Sequence, residues 1–175
     1  LKNKDNEINK LNAIYKTILE ENRVKIYKCR ATVHGSNQVL VNGKVISARY
    51  ILLAVGGWPW VPEFEGSNHA ITSNDLFHLA SLPDSLVVVG GGYIAVEFAT
   101  IFSRLGCKTT LIYRRDLLLR GFDYEVREFI TTEIGRQLTL KTGIDIQGIT
   151  RNNNNLVIKL SNGSNVQSDS VLYAT

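Results

Sequence analysis

Residues 86–95 read LVVVGGGYIA, an apolar run that leads directly into three glycines. A short continuous apolar run bounded by a turn is typical of a buried strand in a parallel sheet. Residues 93–105 then carry apolar side chains at helical spacing, and Gly106 stands where a glycine commonly ends a helix. Residues 108–113 form a second β-prone run. The order strand, glycine turn, helix, strand predicts a βαβ unit whose strands are parallel neighbours joined by a right-handed crossover.

The turn at residues 90–95 fits the pattern G-x-G-x-x-A and lies between a strand and a helix. Gly90 permits the sharp turn, Gly92 lets backbone N–H groups approach a pyrophosphate, and Ala95 allows the helix to pack closely on the strand. The positions between them are Gly91, Tyr93 and Ile94. The helix N-terminus adds partial positive charge for the phosphates. A tight turn without a ligand is the alternative, but the surrounding βαβ pattern favours a nucleotide site.

The end of the second strand indicates which nucleotide binds. An NAD site carries an Asp or Glu there, about 20 residues past the glycines, to accept hydrogen bonds from the ribose. Here Tyr113 takes that place, and Arg114 and Arg115 follow it. A carboxylate would repel a 2′-phosphate, whereas a guanidinium binds it with paired charge-assisted hydrogen bonds. We therefore predict an NADPH site in which Arg114 and Arg120 bind the phosphate, while Arg115 is equally suited to pairing with a nearby acidic residue.

The first third of the chain has a different pattern. Residues 5–21 show helical spacing of apolar side chains and predict a half-buried helix. Residues 24–33, 38–41 and 44–47 are β-prone runs, and Asn42-Gly43 between the last two is a strong hairpin-turn signal. We expect a small β-meander here.

Further elements follow from the same reasoning. The apolar run at residues 50–54 predicts another buried strand, and residues 74–82 and 124–134 predict helices, with Asp123 as an N-cap candidate for the second. The remaining β-prone runs are residues 138–140, 144–150, 156–160 and 170–175. The predicted class is therefore α/β, with a central parallel sheet, crossover helices and a β-meander.

Composition excludes several classes of protein. With 175 residues and 44% hydrophobic side chains the chain can bury a core, yet its apolar runs are too short to cross a bilayer. The net charge is +4, but only Arg114, Arg115 and Arg120 form a basic cluster, and it is too compact for a groove that binds nucleic acid. Cys29 and Cys107 match neither a metal site nor a redox pair, which favours reduced thiols in a cytoplasmic protein. The charged start at Leu1 and the absence of Met suggest an internal fragment.

The order and spacing of these segments is similar to that of the flavin-dependent pyridine nucleotide-disulfide oxidoreductases, most closely to members that reduce glutathione disulfide. The matching segments are residues 11–15, 51–59, 71–73, 90–98 and 119–123. In that family an electron pair passes from NADPH to FAD, then to a cysteine pair, and finally to a disulfide. The resemblance implies a Rossmann-like FAD/NAD(P)-binding fold, with residues 1–82 as the later part of the FAD-binding domain and residues 83–175 as the NADPH-binding domain.

The resemblance also implies roles for single residues. Tyr93 would gate the nicotinamide pocket, Ile94 would line it, and Glu97 would pair with a lysine near the flavin. On composition alone Glu97 is expected to face solvent, because no partner is evident on its mostly apolar helix. The resemblance further implies 2′-phosphate roles for Arg114 and Arg120, FAD contacts for Ala31, Ala54, Val55 and Gly56, and proximity to the disulfide substrate for Ile14 and Tyr15.

Departures from the family limit what this chain is expected to do. The first glycine-rich FAD motif, the C-x-x-x-x-C redox pair and the terminal His-Pro segment of the family have no counterpart here. We therefore expect the chain to bind cofactor but to be inactive alone, and the intact enzyme to be a homodimer. Reduction of another small disulfide, such as trypanothione, and a non-catalytic nucleotide-binding module are the alternatives.

Overall fold

A computed structural model describes residues 2–153 and 155–175 of the chain. The chain divides into two compact units, Leu1–Gly57 and Trp58–Thr175. Among the described residues, no helix combines the length and the apolar character that crossing a membrane requires.

The first unit contains one helix and a meander. Its elements are α1 (Lys2–Glu21), β1 (Ala31–Gly35), β2 (Gln38–Val41) and β3 (Lys44–Ser47), and the strands pair antiparallel in that order. Asn42 and Gly43 have φ values of +48° and +74°, as a two-residue hairpin turn requires. The predicted helix and meander are confirmed, although the first strand begins at Ala31 and residues 24–30 form no strand.

Two expectations about burial in this unit are wrong. The apolar side chains of α1 are exposed rather than half-buried, for example Leu11 at 41% and Tyr15 at 62%. Residues 50–54 form no strand, and the side chain of Leu52 is 89% exposed. A buried parallel strand needs a hydrogen-bonded neighbouring strand and a packed layer on each face. Within the described part of this unit nothing supplies them, so an apolar sequence alone does not produce the strand.

The second unit is built on a four-stranded parallel sheet in the order β10-β4-β5-β6. The elements of the unit, after a short 3₁₀ turn at Ser67–His69, are α2 (Ser73–Leu76), β4 (Ser85–Val89), α3 (Tyr93–Arg104), β5 (Lys108–Tyr113), α4 (Tyr124–Gln137), β6 (Thr139–Thr142), β7 (Ile146–Asn152), β8 (Asn155–Leu160), β9 (Asn165–Ser168) and β10 (Ser170–Tyr173). The predicted βαβ unit is confirmed as β4, α3 and β5. Asp123 is the N-cap of α4, as expected, although its side chain makes no capping hydrogen bond.

Both faces of the parallel sheet are covered. Leu86 and Val88 pack towards a core that includes α3 and α4, and Val87 and Val89 pack towards residues of the antiparallel sheet β7-β8-β9. This two-sided burial explains why β4 is apolar at every position of its last four residues. Strand β9 was not predicted, because its sequence NVQS has no apolar run. Helix α2 is shorter than expected and begins with a capping box between Thr72 and Asp75, whose hydrogen bonds lower the pKa of the Asp75 carboxyl.

The segment before β4 belongs to this second unit. Ile71 bridges to Leu172 beside the parallel sheet, and Glu65 bridges to Gly148 of β7. Gly66 has a φ of +77°, and a Cβ there would lie 1.7 Å from the carbonyl oxygen of Ile149. Along the chain, the first compact unit ends at Gly57 and the second begins at Trp58, whereas the boundary predicted from the sequence lies between residues 82 and 83. The assignment of residues 1–82 to an FAD-binding domain stays a prediction.

Candidate functional site

The glycine turn lies at the carboxyl edge of the parallel sheet. After β4 the chain adds β5 and then β6 on one side, whereas β10 pairs with the other side of β4. This change of direction makes the edge beside β4 a topological switch point, the place where open α/β sheets bind ligands. The glycines predicted to hold a dinucleotide are therefore positioned where the sheet itself favours a site.

Gly90 is fixed by backbone on both sides. Its φ is +147°, and a Cβ at this position would lie 2.1 Å from the carbonyl oxygen of Ala174 and 3.2 Å from the Cβ of Ala95. Its N–H donates to the carbonyl oxygen of Ile112 at 3.0 Å. The turn thus brings β4, β5, β10 and the start of α3 together, and Ala95 is the small residue that this approach requires.

Gly92 has a different environment. It is exposed, it is the N-cap of α3 with a φ of −81°, and a Cβ built on it would meet nothing within 4 Å. Within the described residues no side chain caps the start of this 12-residue helix. The first N–H groups of α3 are therefore without a side-chain partner there, an arrangement that can accommodate a phosphate.

Gly91, the middle residue of the turn, has a contact that the sequence did not reveal. A Cβ at Gly91 would lie 2.5 Å from the aromatic ring of Tyr113, at the end of β5. The tyrosine that replaces the ribose-binding acid of an NAD site therefore lies directly on the glycine turn. Gly91 is buried and Tyr113 is half-buried.

This contact gives a double-mutant prediction. Gly91→Ala should lower the free energy of unfolding by about 1–3 kcal/mol, because the methyl group must displace the tyrosine ring. Tyr113→Val removes the ring, so most of that loss should disappear in the double variant. Urea unfolding of the two single variants and the double variant measures the coupling, which we expect to be about 1 kcal/mol or more. Additive effects would show that the ring is not the obstacle.

Residues 114–123, between β5 and α4, form a loop that carries Arg114, Arg115 and Arg120. This arginine loop folds back onto the glycine turn. The N–H of Leu119 donates to the carbonyl oxygen of Gly91 at 2.6 Å, and the N–H of Phe122 donates to Leu119 at 3.1 Å. Leu119 has a φ of +54°, a conformation uncommon for leucine. This tie brings the loop with Arg114 and Arg120 next to the glycines. The side chains of both arginines are exposed.

These arginines have no acidic partner within the described part of the chain. Neither Arg114, Arg115 nor Arg120 is in a salt bridge there, so the pairing considered for Arg115 is not formed. The loop also carries two carboxylates, Asp116 and Asp123, but its three arginines leave it with a net positive charge that favours an anionic ligand.

A cavity of about 490 Å³ opens at this edge. The ends of three strands contribute Gly90, Tyr113 and Tyr173, and its lining also includes Arg114, Asp145 and Trp60. Burial raises the pKa of Tyr173, and Asp145 adds to this effect while Arg114 opposes it. Arg114 also lines a more open depression of about 600 Å³ with Arg115, Tyr124 and Arg127. One guanidinium therefore borders two spaces large enough for parts of a nucleotide.

The residues expected near the nicotinamide lie on the first two turns of α3. Tyr93 and Glu97 are both exposed, Ile94 is half-buried and Ala95 is fully buried. The exposure of Glu97 agrees with the expectation from composition, and within the described residues it is in no ion pair. The roles that the resemblance implies for Tyr93, Ile94 and Glu97 stay predictions.

The remaining predicted residues lie in the first unit. Ile14 and Tyr15 are exposed on α1, and Ala31 is exposed at the start of β1. Residues 54–56 are exposed irregular backbone, with Gly56 at a φ of +70°. Their proposed contacts with substrate and FAD stay predictions.

Comparisons with known proteins match this geometry to one family. The model of the pyridine nucleotide-disulphide oxidoreductases matches residues 2–175. Glutathione reductase of Burkholderia cepacia is 40% identical over 173 residues, which is 98% of this chain and 38% of that protein. Trypanothione reductase of Leishmania donovani is 42% identical over 113 residues, which is 62% of this chain and 23% of that protein.

A solved structure agrees. The HOCl-induced flavoprotein disulfide reductase RclA from Escherichia coli superposes with a TM-score of 0.72 and 26% identity, over 83% of this chain and 34% of that one. The chain thus spans 38% or less of the length of each of these three proteins. The parallel sheet and its glycine turn are those of a Rossmann-like FAD/NAD(P)-binding fold. Because the family model matches residues 2–175 and the Burkholderia cepacia enzyme is 40% identical over 98% of the chain, this chain belongs to the pyridine nucleotide-disulphide oxidoreductase family.

Proposed function

We propose that the protein is an NADPH-dependent flavoprotein that reduces glutathione disulfide, and that this chain supplies its NADPH site. Two observations support the NADPH assignment. The loop with Arg114 and Arg120 is hydrogen-bonded to the carbonyl oxygen of Gly91, and β5 ends in Tyr113 rather than in an acidic residue. The glutathione assignment is supported by the 40% identity to the Burkholderia cepacia enzyme.

The residues at the carboxyl edge fit a dinucleotide phosphate. Gly90 allows the tight turn beside Ala174, Gly92 leaves room for a pyrophosphate to approach the backbone, and the uncapped N–H groups of α3 would donate to it. Arg114 and Arg120 would bind the 2′-phosphate. NADPH supplies a hydride when bound, and the contacts at its adenosine end hold the nucleotide so that the far end is oriented beside Tyr93 and Glu97.

The described part of the chain offers only a small portion of an FAD site. Gly56 and Gly57 have open space around the position of a Cβ, which suits close approach of a ligand to the turn that follows Ala54. Both described cysteines are free thiols, in keeping with a reducing compartment such as the cytoplasm.

Calorimetric titration of the purified protein tests the NADPH site. We expect NADPH to bind at least about tenfold more tightly than NADH, because charge-assisted hydrogen bonds to the 2′-phosphate are each worth about 1.5–3 kcal/mol. Equal affinity for the two nucleotides would contradict the assignment.

The disulfide substrate is tested separately. In the intact, flavin-loaded protein, NADPH should bleach the flavin absorbance and glutathione disulfide should restore it. If only trypanothione disulfide restores the flavin absorbance, the substrate is that of the Leishmania donovani trypanothione reductase, which is 42% identical over 113 residues. If neither disulfide reoxidises the flavin, the chain is better described as a nucleotide-binding module.

A further inference from the structure

Helix α4 holds the arginine loop through the guanidinium of Arg127. The Nε of Arg127 donates to the carbonyl oxygen of Leu118 at 2.9 Å, and one of its terminal nitrogens donates to the carbonyl oxygen of Leu117 at 3.0 Å. The N–H of Leu118 donates to the Oγ1 of Thr131 at 3.0 Å, one helical turn further along α4. Two consecutive residues of the loop are therefore fixed by side chains of a single helix.

The Arg127 side chain is unusual among the cations of this region. It is half-buried and forms no ion pair with a carboxylate within the described residues. Both of its identified hydrogen bonds go to backbone carbonyl oxygens. A planar guanidinium can bridge two neighbouring carbonyls with fixed geometry, whereas the ammonium of lysine cannot reproduce that fork. Leu118 between these contacts is fully buried, which anchors the middle of the loop in the core.

The loop has two ends that matter for the nucleotide. Arg114 precedes Leu117 by three residues, and Arg120 follows Leu118 by two. Leu119, between the anchor and Arg120, is tied to the carbonyl oxygen of Gly91. Releasing the anchor would let both phosphate-binding arginines move relative to the glycine turn.

We propose that Arg127 is a positioning residue that sets the preference for 2′-phosphorylated nucleotides by holding the loop that carries Arg114 and Arg120. This inference rests on the proposed NADPH site. Two nitrogens of the Arg127 guanidinium donate to the carbonyl oxygens of Leu117 and Leu118. Arg127 therefore contributes to nucleotide preference by holding the loop in place, and not by contacting the phosphate.

The test compares binding of adenosine 2′,5′-bisphosphate with that of AMP, which differ only in the 2′-phosphate. Arg127→Lys keeps the positive charge and loses the fork, so we expect the preference for the bisphosphate to fall about tenfold while the affinity for AMP changes less than about twofold. Thr131→Val should produce a smaller loss in the same direction. Arg136→Lys is the matched control, because it makes the same charge-conserving change at an exposed arginine of the same helix, which is ion-paired with Glu133.

Three outcomes would overturn the positioning role of Arg127, and a fourth would overturn the NADPH assignment. A wild-type preference that survives intact in Arg127→Lys overturns the positioning role, and so does an equal loss of affinity for both ligands, which would indicate a purely structural effect. A loss of preference in Arg136→Lys as large as that in Arg127→Lys also overturns it. If the wild-type protein shows no preference at all, the NADPH assignment itself fails. Thermal unfolding of each variant accompanies the titrations, and retained AMP binding demonstrates a folded site.

Discussion

Gly90→Ala should abolish nucleotide binding and lower the free energy of unfolding by about 3 kcal/mol or more. The residue has a φ of +147°, where only glycine is unstrained, and the new Cβ would lie 2.1 Å from the carbonyl oxygen of Ala174. That obstacle is backbone at the end of β10, so relief requires the strand to move away from β4. Because three strands and α3 meet at this turn, the displacement removes the geometry of the site as well. Urea unfolding and a calorimetric titration with NADPH measure the two effects.

Gly92→Ala is the matched control for this substitution. Its φ of −81° suits alanine, and a Cβ there would meet nothing within 4 Å, so the free energy of unfolding should change by less than about 1 kcal/mol. The methyl group would nevertheless stand where the pyrophosphate is expected to approach the backbone, so NADPH affinity should fall. Equal stability losses in the two variants would contradict the account of Gly90, and unchanged NADPH affinity in a folded Gly92→Ala protein would contradict the placement of the pyrophosphate.

The parts of the fold that could be predicted are those whose partners lie in the same unit. Strands β4 and β5 and helix α3 follow from local patterns, and their neighbours above and below the sheet are present to bury them. Residues 50–54 have an equally apolar sequence but no paired strand or covering layer in the described unit, so the same pattern leads to exposed backbone. Sequence periodicity reports the tendency to be buried, and only the surrounding structure provides the burial.

The candidate site shows the same limit at the level of side chains. The roles of Gly90 and Ala95 could be predicted because they depend on residues close in sequence and on a recurrent turn. The ring of Tyr113 on Gly91 and the hold of Arg127 on the loop are contacts across the fold, and no spacing rule indicates them. The lack of a carboxylate at the end of β5 was the one visible signal, and it identified Tyr113 as unusual without showing where its ring lies.

Arg114→Glu should reverse the nucleotide preference of the protein. Arg114 borders both the cavity between the strand ends and the open depression beside the loop, and it has no acidic partner within the described residues. On the proposed assignment, the substitution removes charge-assisted hydrogen bonds to the 2′-phosphate and adds a repulsive carboxylate next to position 113, where NAD sites carry one. We expect the affinity for NADPH to fall about 100-fold, while NADH binding is unchanged or improved, because a carboxylate accepts hydrogen bonds from a ribose.

Arg115→Glu separates this specific contact from a general loss of positive charge. Arg115 is the next residue, is equally exposed, and changes the net charge by the same amount when replaced. If the phosphate is held by Arg114 through directed hydrogen bonds, Arg115→Glu should weaken NADPH only several-fold, and added salt should reduce that smaller effect because it acts through the solvent. The larger effect of Arg114→Glu should persist at high salt. Equal losses in the two variants, both removed by salt, would mean that the loop attracts the nucleotide by its overall charge and that Arg114 does not recognise the 2′-phosphate.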